Sequence, residues 1–416
     1  MSNNNITYAS IVPLIGGENL GIMQSMNNQL PEYVLSYTPF AKNDSHFISY
    51  LREKHGWSGD YIFLDAEGNE SYKPTKHVNV VNTVCPCAGL SSLSVTSSAD
   101  SEMNEWMYKT SEYVLGTIKP DMFWGENAPR LFTNAGKKVA DRLFAIGQEN
   151  GYTLNLYYTE SRLHGLAQKR PRTFYFFTKG EQAPIFKYYR RDLESIEAVL
   201  RKPVDPSDAM SPYVNPKTPT DNPWVAYCLY KTGSTNLEEF YNKIEGSTNC
   251  IVTSDRLSEN LHEVADWMDA NGFDLKYGKR ARAMQGKLDS GKGYWAHGVT
   301  VPKGEIPSLI GALPSEMINP FDNRYLRVRD CLRIMKMPED FNLQGNPVAN
   351  VNHICQNVPV TTASDMMSNV MDYFNGNCDL VNAKFVKQSN AAMKHEIVEA
   401  EATSHVLDEF FSLHKG

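Results

Sequence analysis

Three short segments in the first half of the chain carry residues able to do chemistry. Cys87 follows Pro86 where an apolar run gives way to a serine-rich loop, and a thiol there is able to act as a nucleophile. Glu126 ends a second apolar run, and Arg170 and Arg172 precede a third. If side chains alternate as in a strand, both arginines face one side, where an anion or a carbonyl oxygen would relieve their repulsion. Taken singly, these residues also fit a buried thiol, a surface acid and a solvated turn.

The apolar runs predict the sheet that positions these residues. Ile11–Ile15, Tyr61–Leu64 and Val78–Val84 are short, apolar and bounded by turn residues, as in buried parallel strands. Stretches with a helical period separate them, so the pattern predicts an α/β fold with helices on both faces of the sheet. Ligands of such sheets bind at the carboxyl ends of the strands. Cys87 and Glu126 are therefore expected at that edge.

A proline-rich stretch divides the chain. Six prolines fall within residues 203–223, too many for a helix or a central strand. We predict that residues 1–202 form the first part of the α/β domain and residues 203–295 a smaller, irregular α+β domain. Residues 296–379 then return to the first domain, and residues 380–416 form a helical C-terminal tail.

Composition excludes several classes of protein. The chain has 416 residues and seven cysteines without a Cys-x-x-Cys pair, which argues against a disulfide scaffold or a structural zinc site. Its histidines lack the spacing of metal ligands, so no metal is predicted. No apolar run approaches the ~20 residues of a membrane span, and the first residues lack the layout of a signal peptide. We expect a cytoplasmic protein that binds no membrane.

Basic residues form two clusters although the net charge is −7. Residues 162–191 hold eight basic residues against one acid, and residues 276–292 hold six against one, Arg280 and Arg282 among them. Such clusters predict contacts with the phosphates of a nucleic acid. Either cluster alone also fits a solvated surface.

Six segments in order resemble the DNA cytosine-5 methyltransferase family. They are Val12–Gly17, Pro86-Cys87, Glu126-Asn127, Gln168-x-Arg170-x-Arg172, Arg324–Asp330 with Met337–Phe341, and Gln356–Pro359. The resemblance covers about residues 1–180 and 295–375, and residues 203–295 take the place of the family's target-recognition domain. It implies a Rossmann-like sheet of the class I S-adenosylmethionine-dependent methyltransferases.

The resemblance also implies catalytic roles. Cys87 matches the thiolate that adds to C6 of a flipped-out cytosine, and Glu126 matches the acid that donates a proton at N3. Arg172, and less directly Arg170, match the arginines that hold the base O2. Methyl transfer to C5 and loss of the C5 proton then release Cys87.

The resemblance further implies a binding site for S-adenosylmethionine and one for double-stranded DNA. The cofactor residues would be Ile15, Gly16, Gly17, Asp65, Pro86 and Asn357, and Asp60 competes with Asp65 for the contact with the adenine amine. The DNA-binding residues would be Gln168, Ser91, Arg280 and Arg282. Three positions depart from the family pattern. Leu14 stands where glycine is usual, Thr38 stands where an acid takes the ribose hydroxyls, and Gln356 replaces the usual glycine of the last motif.

We therefore predict a monomeric S-adenosylmethionine-dependent DNA (cytosine-5-)-methyltransferase of a bacterial or phage-infected cell, as in restriction-modification or phage protection. Three alternatives stay open: a catalytically silent DNA-binding or regulatory protein on the same fold, an RNA or nucleotide substrate, and a different donor. Cys87 and Glu126, kept together with Gln168, Arg170 and Arg172, favour an active enzyme. Leu14 and Thr38 favour a silent one.

Overall fold

A computed structural model describes residues 6–66, 68–69, 72–85, 90, 98, 100–250, 260–291, 299–311 and 313–398. The strands are β1 Tyr8–Ile11, β2 Tyr33–Ser36, β3 Asp60–Phe63, β4 Val80–Thr83, β5 Met122–Asn127, β6 Tyr152–Glu160, β7 Gln168–Lys169, β8 Pro171–Lys179, β9 Ala183–Ile185, β10 Thr248–Asn249, β11 Thr300–Val301, β12 Ile306–Pro307, β13 Ile318–Asn319, β14 Arg324–Tyr325, β15 Asp379–Val381, β16 Phe385–Ser389 and β17 Lys394–Ile397. The helices are α1 Gly17–Ser25, α2 Ala41–His55, α3 Glu105–Tyr113, α4 Lys137–Glu149, α5 Ile196–Arg201, α6 Pro223–Thr232, α7 Leu237–Lys243, α8 Leu261–Ala270, α9 Leu275–Asp289, α10 Val328–Ile334, α11 Pro347–Gln356 and α12 Val360–Phe374.

The large sheet has the mixed topology of an α/β domain. Its strand order is β17-β16-β6-β8-β5-β4-β1-β2-β3. Strands β3, β2, β1, β4 and β5 run parallel, and β8 lies antiparallel between β5 and β6. The chain order along the sheet reverses between β1 and β4, so the carboxyl ends of these strands form the crevice where such sheets bind ligands.

The first strand is shifted from its predicted position. The apolar run Ile11–Ile15 predicts a strand, but β1 spans Tyr8–Ile11 and the chain turns directly after it. Val12 and Leu14 have φ angles of 53° and 52°, which no strand residue adopts. The apolar side chains at 12–15 are buried because the turn is internal.

The segment predicted to be irregular α+β contains four helices, α6 to α9, in its described part. They share a hydrophobic core of their own, to which Trp224, Phe240, Val264 and Met284 contribute. Strand β10 pairs antiparallel with β11. This unit therefore extends past residue 295.

The helical prediction for residues 380–416 is wrong over the described residues 380–398, which hold the end of β15 and strands β16 and β17. Strand β16 pairs parallel with β6 and β17 pairs antiparallel with β16, which extends the large sheet. Phe385 stacks on Phe144 at 5.4 Å, and Gln388 Oε1 accepts the Phe186 amide at 3.0 Å. These partners are more than 200 residues away, and tertiary pairing of this kind overrides local helix propensity. Residues 399–416 lie outside the described ranges.

Candidate active site

The turn between β1 and α1 has a strained backbone. Val12, Leu14 and Gly16 have φ angles of 53°, 52° and 84°. Left-handed conformations cost roughly 1–3 kcal/mol for residues with side chains and cluster at functional sites. The predicted cofactor residues Ile15, Gly16 and Gly17 all lie in this turn or begin the helix after it, and all are buried.

Both glycines of this turn are required by packing. A β-carbon on Gly16 would lie 2.0 Å from the Phe47 ring. A β-carbon on Gly17 would lie 2.2 Å from Asn357 Nδ2 and 2.2 Å from the Val358 carbonyl oxygen. The glycines therefore let the start of α1 approach α2 and the backbone before α12.

Asn357 and Arg170 support the turn from behind. The Gly17 amide donates to Asn357 Oδ1 at 2.9 Å. Arg170 Nη2 donates to the carbonyls of Asn357 and Cys355, both at 3.0 Å, and Nη1 donates to the Leu309 carbonyl at 3.0 Å. Arg170 is 1% exposed. Its guanidinium thus joins three backbone segments inside the protein.

The side chain of Gln168 also makes its contacts inside the protein. Its side chain is buried, Oε1 accepts the Leu309 amide at 3.1 Å, and Nε2 lies 3.2 Å from Met335 Sδ. The structure therefore brings Gln168 and Arg170 together at residue 309. Both are turned into the protein rather than toward a surface that a nucleic acid could reach.

Glu126 and Arg172 form an ion pair at the sheet edge. Glu126 stands opposite Phe174 in the antiparallel pairing of β5 with β8, so Arg172 lies beside the end of β5. Arg172 Nε pairs with Glu126 Oε1, and the two side chains are 11% and 3% exposed. The ion pair thus places an acid in a dry site at the edge of the sheet, where a bound ligand would meet it.

The cysteine that ends the neighbouring strand is a buried thiol. Cys85 Sγ lies 3.4 Å from Thr83 Oγ1. Burial raises the pKa of the Cys85 thiol, against the lowering effect of Thr83. A thiol of this kind is unreactive. The predicted residues Pro86, Cys87 and Ser91 lie outside the described residues.

Asp65 and Thr38 interact at the end of β3. The Thr38 amide donates to Asp65 Oδ1 and Oδ2 at 2.8 and 3.1 Å, and the Thr38 hydroxyl donates to Oδ1 at 3.0 Å. The rings of Phe40 and Trp106, 5.3 Å apart, and that of Tyr37 lie beside this pair. A half-buried carboxylate next to aromatic rings fits the adenosyl end of S-adenosylmethionine, which offers hydroxyl and amine donors and a flat ring.

Two buried acids near the turn escaped the sequence prediction. Glu18, in the first turn of α1, accepts from Asn82 Nδ2 at 2.8 Å. Burial raises the pKa of Glu18 well above its usual value, the Asn82 contact lowers it, and the charge of Glu126 raises it further. The available signal was a carboxyl directly after a Gly-Gly pair.

Asp44 is the second of these acids. It is fully buried on α2, where Phe47, Ile48 and Leu51 share its face of the helix. Its Oδ1 accepts the Leu14 amide at 3.0 Å. The sequence signal was an acid three residues before Phe47 and four before Ile48, which places it on the face that the helix buries.

Helix α9 presents basic side chains to solvent. Its buried face holds Gly278, Ala281 and Met284. The opposite face is exposed and carries the basic strip, which consists of Lys276, Lys279, Arg280 and Lys287. Arg282 lies to the side, where Nη2 pairs with Asp266 at 2.6 Å and Asp269 at 2.8 Å. Of the two predicted arginines, Arg280 is thus exposed to a partner and Arg282 is held against α8.

Four of the eight basic residues in the cluster at residues 162–191 pair with acids within the protein. Arg162 pairs with Glu160 and Glu305. Arg191 Nε donates to Asp365 Oδ2 at 2.9 Å, and Lys187 pairs with Asp372 at 2.7 Å. Arg172 pairs with Glu126, whereas Lys169 and Lys179 stay exposed, so part of this cluster remains open to phosphates.

Two kinds of feature are missing from the described residues. They contain no group of three or more histidine, cysteine, aspartate or glutamate side chains placed to hold a metal ion. Among the helices of these residues, none combines the length and the apolar character that crossing a membrane requires.

Comparison with known proteins gives one family match over most of the chain. A family model described as C-5 cytosine-specific DNA methylase matches residues 9–372. No curated protein sequence is significantly similar to the chain.

Solved structures share the fold. A DNA modification methyltransferase encoded within an Escherichia coli prophage superposes with a TM-score of 0.55 at 13% identity, over 89% of this chain and 99% of that one. The methyltransferase EhMeth of Entamoeba histolytica superposes with a TM-score of 0.51 at 13% identity, over 89% of this chain and 98% of that one. The predicted class I methyltransferase fold is confirmed.

Proposed function

The chain belongs to the C-5 cytosine-specific DNA methylase family, whose methyl donor is S-adenosylmethionine, and from that premise we propose that it methylates C5 of cytosine in double-stranded DNA. The observation that carries the proposal is the buried ion pair of Glu126 and Arg172. It lies at the carboxyl end of β5, beside the crevice where open α/β sheets bind ligands.

We assign the covalent step to Cys87. Its thiolate adds to C6 of the target cytosine, and the displaced electron pair reaches N3, where Glu126 donates a proton. Arg172 orients the Glu126 carboxyl and stabilises the charge that develops at O2. S-adenosylmethionine supplies the methyl group that the activated C5 accepts. Loss of the C5 proton then expels the Cys87 thiolate.

We assign a different task to Arg170 and Gln168. Their contacts with Leu309, Cys355 and Asn357 support a positioning role, in which they fix the β1–α1 turn relative to the rest of the domain. Asp65 would accept a hydrogen bond from the adenosine of the cofactor. Ile15, Gly16 and Gly17 would shape the turn rather than touch the cofactor through side chains.

The basic strip of α9 supports DNA as the partner. Lys279 and Arg280 are exposed neighbours whose positive charges repel each other, while Lys276 pairs with Asp274 at 2.7 Å. A polyanion would relieve that repulsion, and releasing its counterions would favour binding. Arg282 would hold α9 in place through α8, and the target base would be flipped into the Glu126 site at a cost of a few kcal/mol.

Nucleoside mass spectrometry tests the proposal. The parent, Cys87→Ala and Glu126→Gln are incubated with S-adenosylmethionine and either mixed-sequence duplex DNA or structured RNA. We expect 5-methyldeoxycytidine with the parent only. 5-Methylcytidine in the RNA sample alone would make RNA the substrate. No product with either, despite DNA binding, would favour the silent DNA-binding protein.

A further inference from the structure

Leu14 adopts a backbone conformation that its side chain disfavours. Its φ angle of 52° lies in the left-handed region, which costs a residue with a β-carbon roughly 1–2 kcal/mol. The side chain is buried in the hydrophobic core around the large sheet. Because a residue so placed has no route to relax into solvent, the surrounding structure must hold it in this conformation.

The Asp44 carboxyl meets this requirement by binding the β1–α1 turn and two strands of the sheet. Oδ1 accepts the Leu14 amide at 3.0 Å. Oδ2 accepts the Tyr61 hydroxyl at 3.1 Å and the Ser36 hydroxyl. Ser36 ends β2 and Tyr61 lies in β3, so one side chain joins the β1–α1 turn to the next two strands.

The contact with Leu14 does not depend on the charge of Asp44. Burial raises the pKa of Asp44 to about 7, against the lowering effects of Ser36, Tyr61 and Leu14. An ionised carboxylate and a neutral carboxyl both offer an oxygen to the amide. Without an acceptor, the buried amide would cost about 1–3 kcal/mol, which is as large as the strain itself.

We propose that Asp44 is a positioning residue that holds Leu14 in its left-handed conformation, so that the β1–α1 turn keeps the shape that binds the cofactor. The inference rests on the proposed function, because it takes this turn as part of the S-adenosylmethionine site. Asp44 replaces the conformational freedom that a glycine at position 14 would provide.

Isothermal titration calorimetry with S-adenosylhomocysteine, in the absence of DNA, measures the effect directly. Asp44→Leu keeps the approximate size but removes the acceptor of the Leu14, Ser36 and Tyr61 donors, and we expect about tenfold weaker binding because the buried Leu14 amide loses its partner. Asp44→Asn keeps an amide oxygen as acceptor, so its affinity should stay within about threefold of the parent.

Rescue by glycine separates positioning from a general structural role. Adding Leu14→Gly to Asp44→Leu should restore most of the lost affinity, because glycine adopts the left-handed conformation without help. Leu14→Ala is the matched control, since it also removes the leucine side chain but keeps the β-carbon. In steady-state assays, Asp44→Leu should raise KM for S-adenosylmethionine and leave kcat unchanged.

The outcomes separate the inference from the proposed function. A parent that binds S-adenosylhomocysteine, with Asp44→Leu binding equally well, overturns the inference alone. The inference is also overturned if a folded Asp44→Leu protein binds S-adenosylhomocysteine more weakly and adding Leu14→Gly restores no more affinity than adding Leu14→Ala. A parent that does not bind overturns the proposed function and the inference together. If Asp44→Leu does not fold, Tyr61→Phe takes its place, with a smaller loss and the same rescue expected.

Discussion

The β1–α1 turn and helix α9 use polar side chains in opposite ways. Around the turn, Asp44, Asn357 and Arg170 are buried and bonded to backbone groups. On α9, Lys279 and Arg280 are exposed, and neither side chain has a bonded partner among the described residues. Around the turn, the polar side chains hold a strained backbone in place. On α9 polar side chains are left available, and only such groups are able to bind a large anion.

The same contrast separates two arginines that are neighbours in sequence. Arg170 reaches three carbonyls in the interior, whereas Arg172 reaches the acid at the sheet edge. The residue between them, Pro171, begins β8 and has no amide proton to continue the strand pairing. A single motif therefore supplies both a support and a candidate catalytic group.

The largest expected effect is that of Arg170→Met on stability. Three buried carbonyls lose their donor, so the free energy of unfolding should fall by about 3 kcal/mol or more, measured by urea denaturation. Arg172→Met is the matched variant and should lower stability by less, because Arg172 contacts one acid and the adjacent Pro171 carbonyl, whereas Arg170 holds three distant backbone carbonyls. Equal losses of stability would remove the distinction between the two arginines.

The second largest effect is expected from Glu126→Gln, which should reduce turnover rather than stability. Loss of a positioned acid lowers rates by about 100-fold or more, which we expect in kcat for methyl transfer to DNA. The thermal midpoint should change little, because glutamine keeps the size and shape of the glutamate side chain. A fall in the thermal midpoint that matches the fall in kcat would make Glu126 part of the scaffold instead.

Particular residues show which features of the fold and the site were predictable from the sequence. Glu126 was predicted at the sheet edge because the end of an apolar run is a local signal, and β5 ends as expected. The inward turn of Arg170 was not predictable, since strand alternation fails at the break between β7 and β8 and the accepting carbonyls lie 139 to 187 residues away. Strand β16 was missed for the same reason, because its pairing with β6 is nonlocal.

The basic strip of α9 should give a moderate effect, on binding alone. Lys279→Ala with Arg280→Ala should weaken duplex DNA binding by about fivefold and make the dependence on salt shallower, because fewer counterions are released. Lys137→Ala with Lys138→Ala on α4 removes the same charge and serves as control. Fluorescence anisotropy at several salt concentrations measures the affinity for duplex DNA. A similar loss of affinity in the control would show that the basic strip contributes only general electrostatic attraction.

The smallest net effect in the parent concerns pH, because two residues of α2 oppose each other. Burial lowers the pKa of His46 to about 4, helped by His353 and Lys42, and burial raises the pKa of Asp44 to about 7. Between about pH 4 and 6.5, the unfolded chain binds more protons at His46 than the folded chain does, so this residue makes stability rise with pH. At Asp44 the folded chain binds more protons between about pH 4 and 7, so this residue makes stability fall with pH.

In the parent these two slopes oppose each other, and single variants should reveal them. His46→Asn leaves the Asp44 contribution, so its thermal midpoint should fall relative to the parent as pH rises from 4 to 6.5. Asp44→Asn leaves the His46 contribution, and its midpoint should rise relative to the parent over the same range. Difference curves of the same sign would contradict the assignment of opposite proton uptake to these two side chains. Opposite signs would show that the contributions of His46 and Asp44 to the pH dependence of stability partly cancel in the parent.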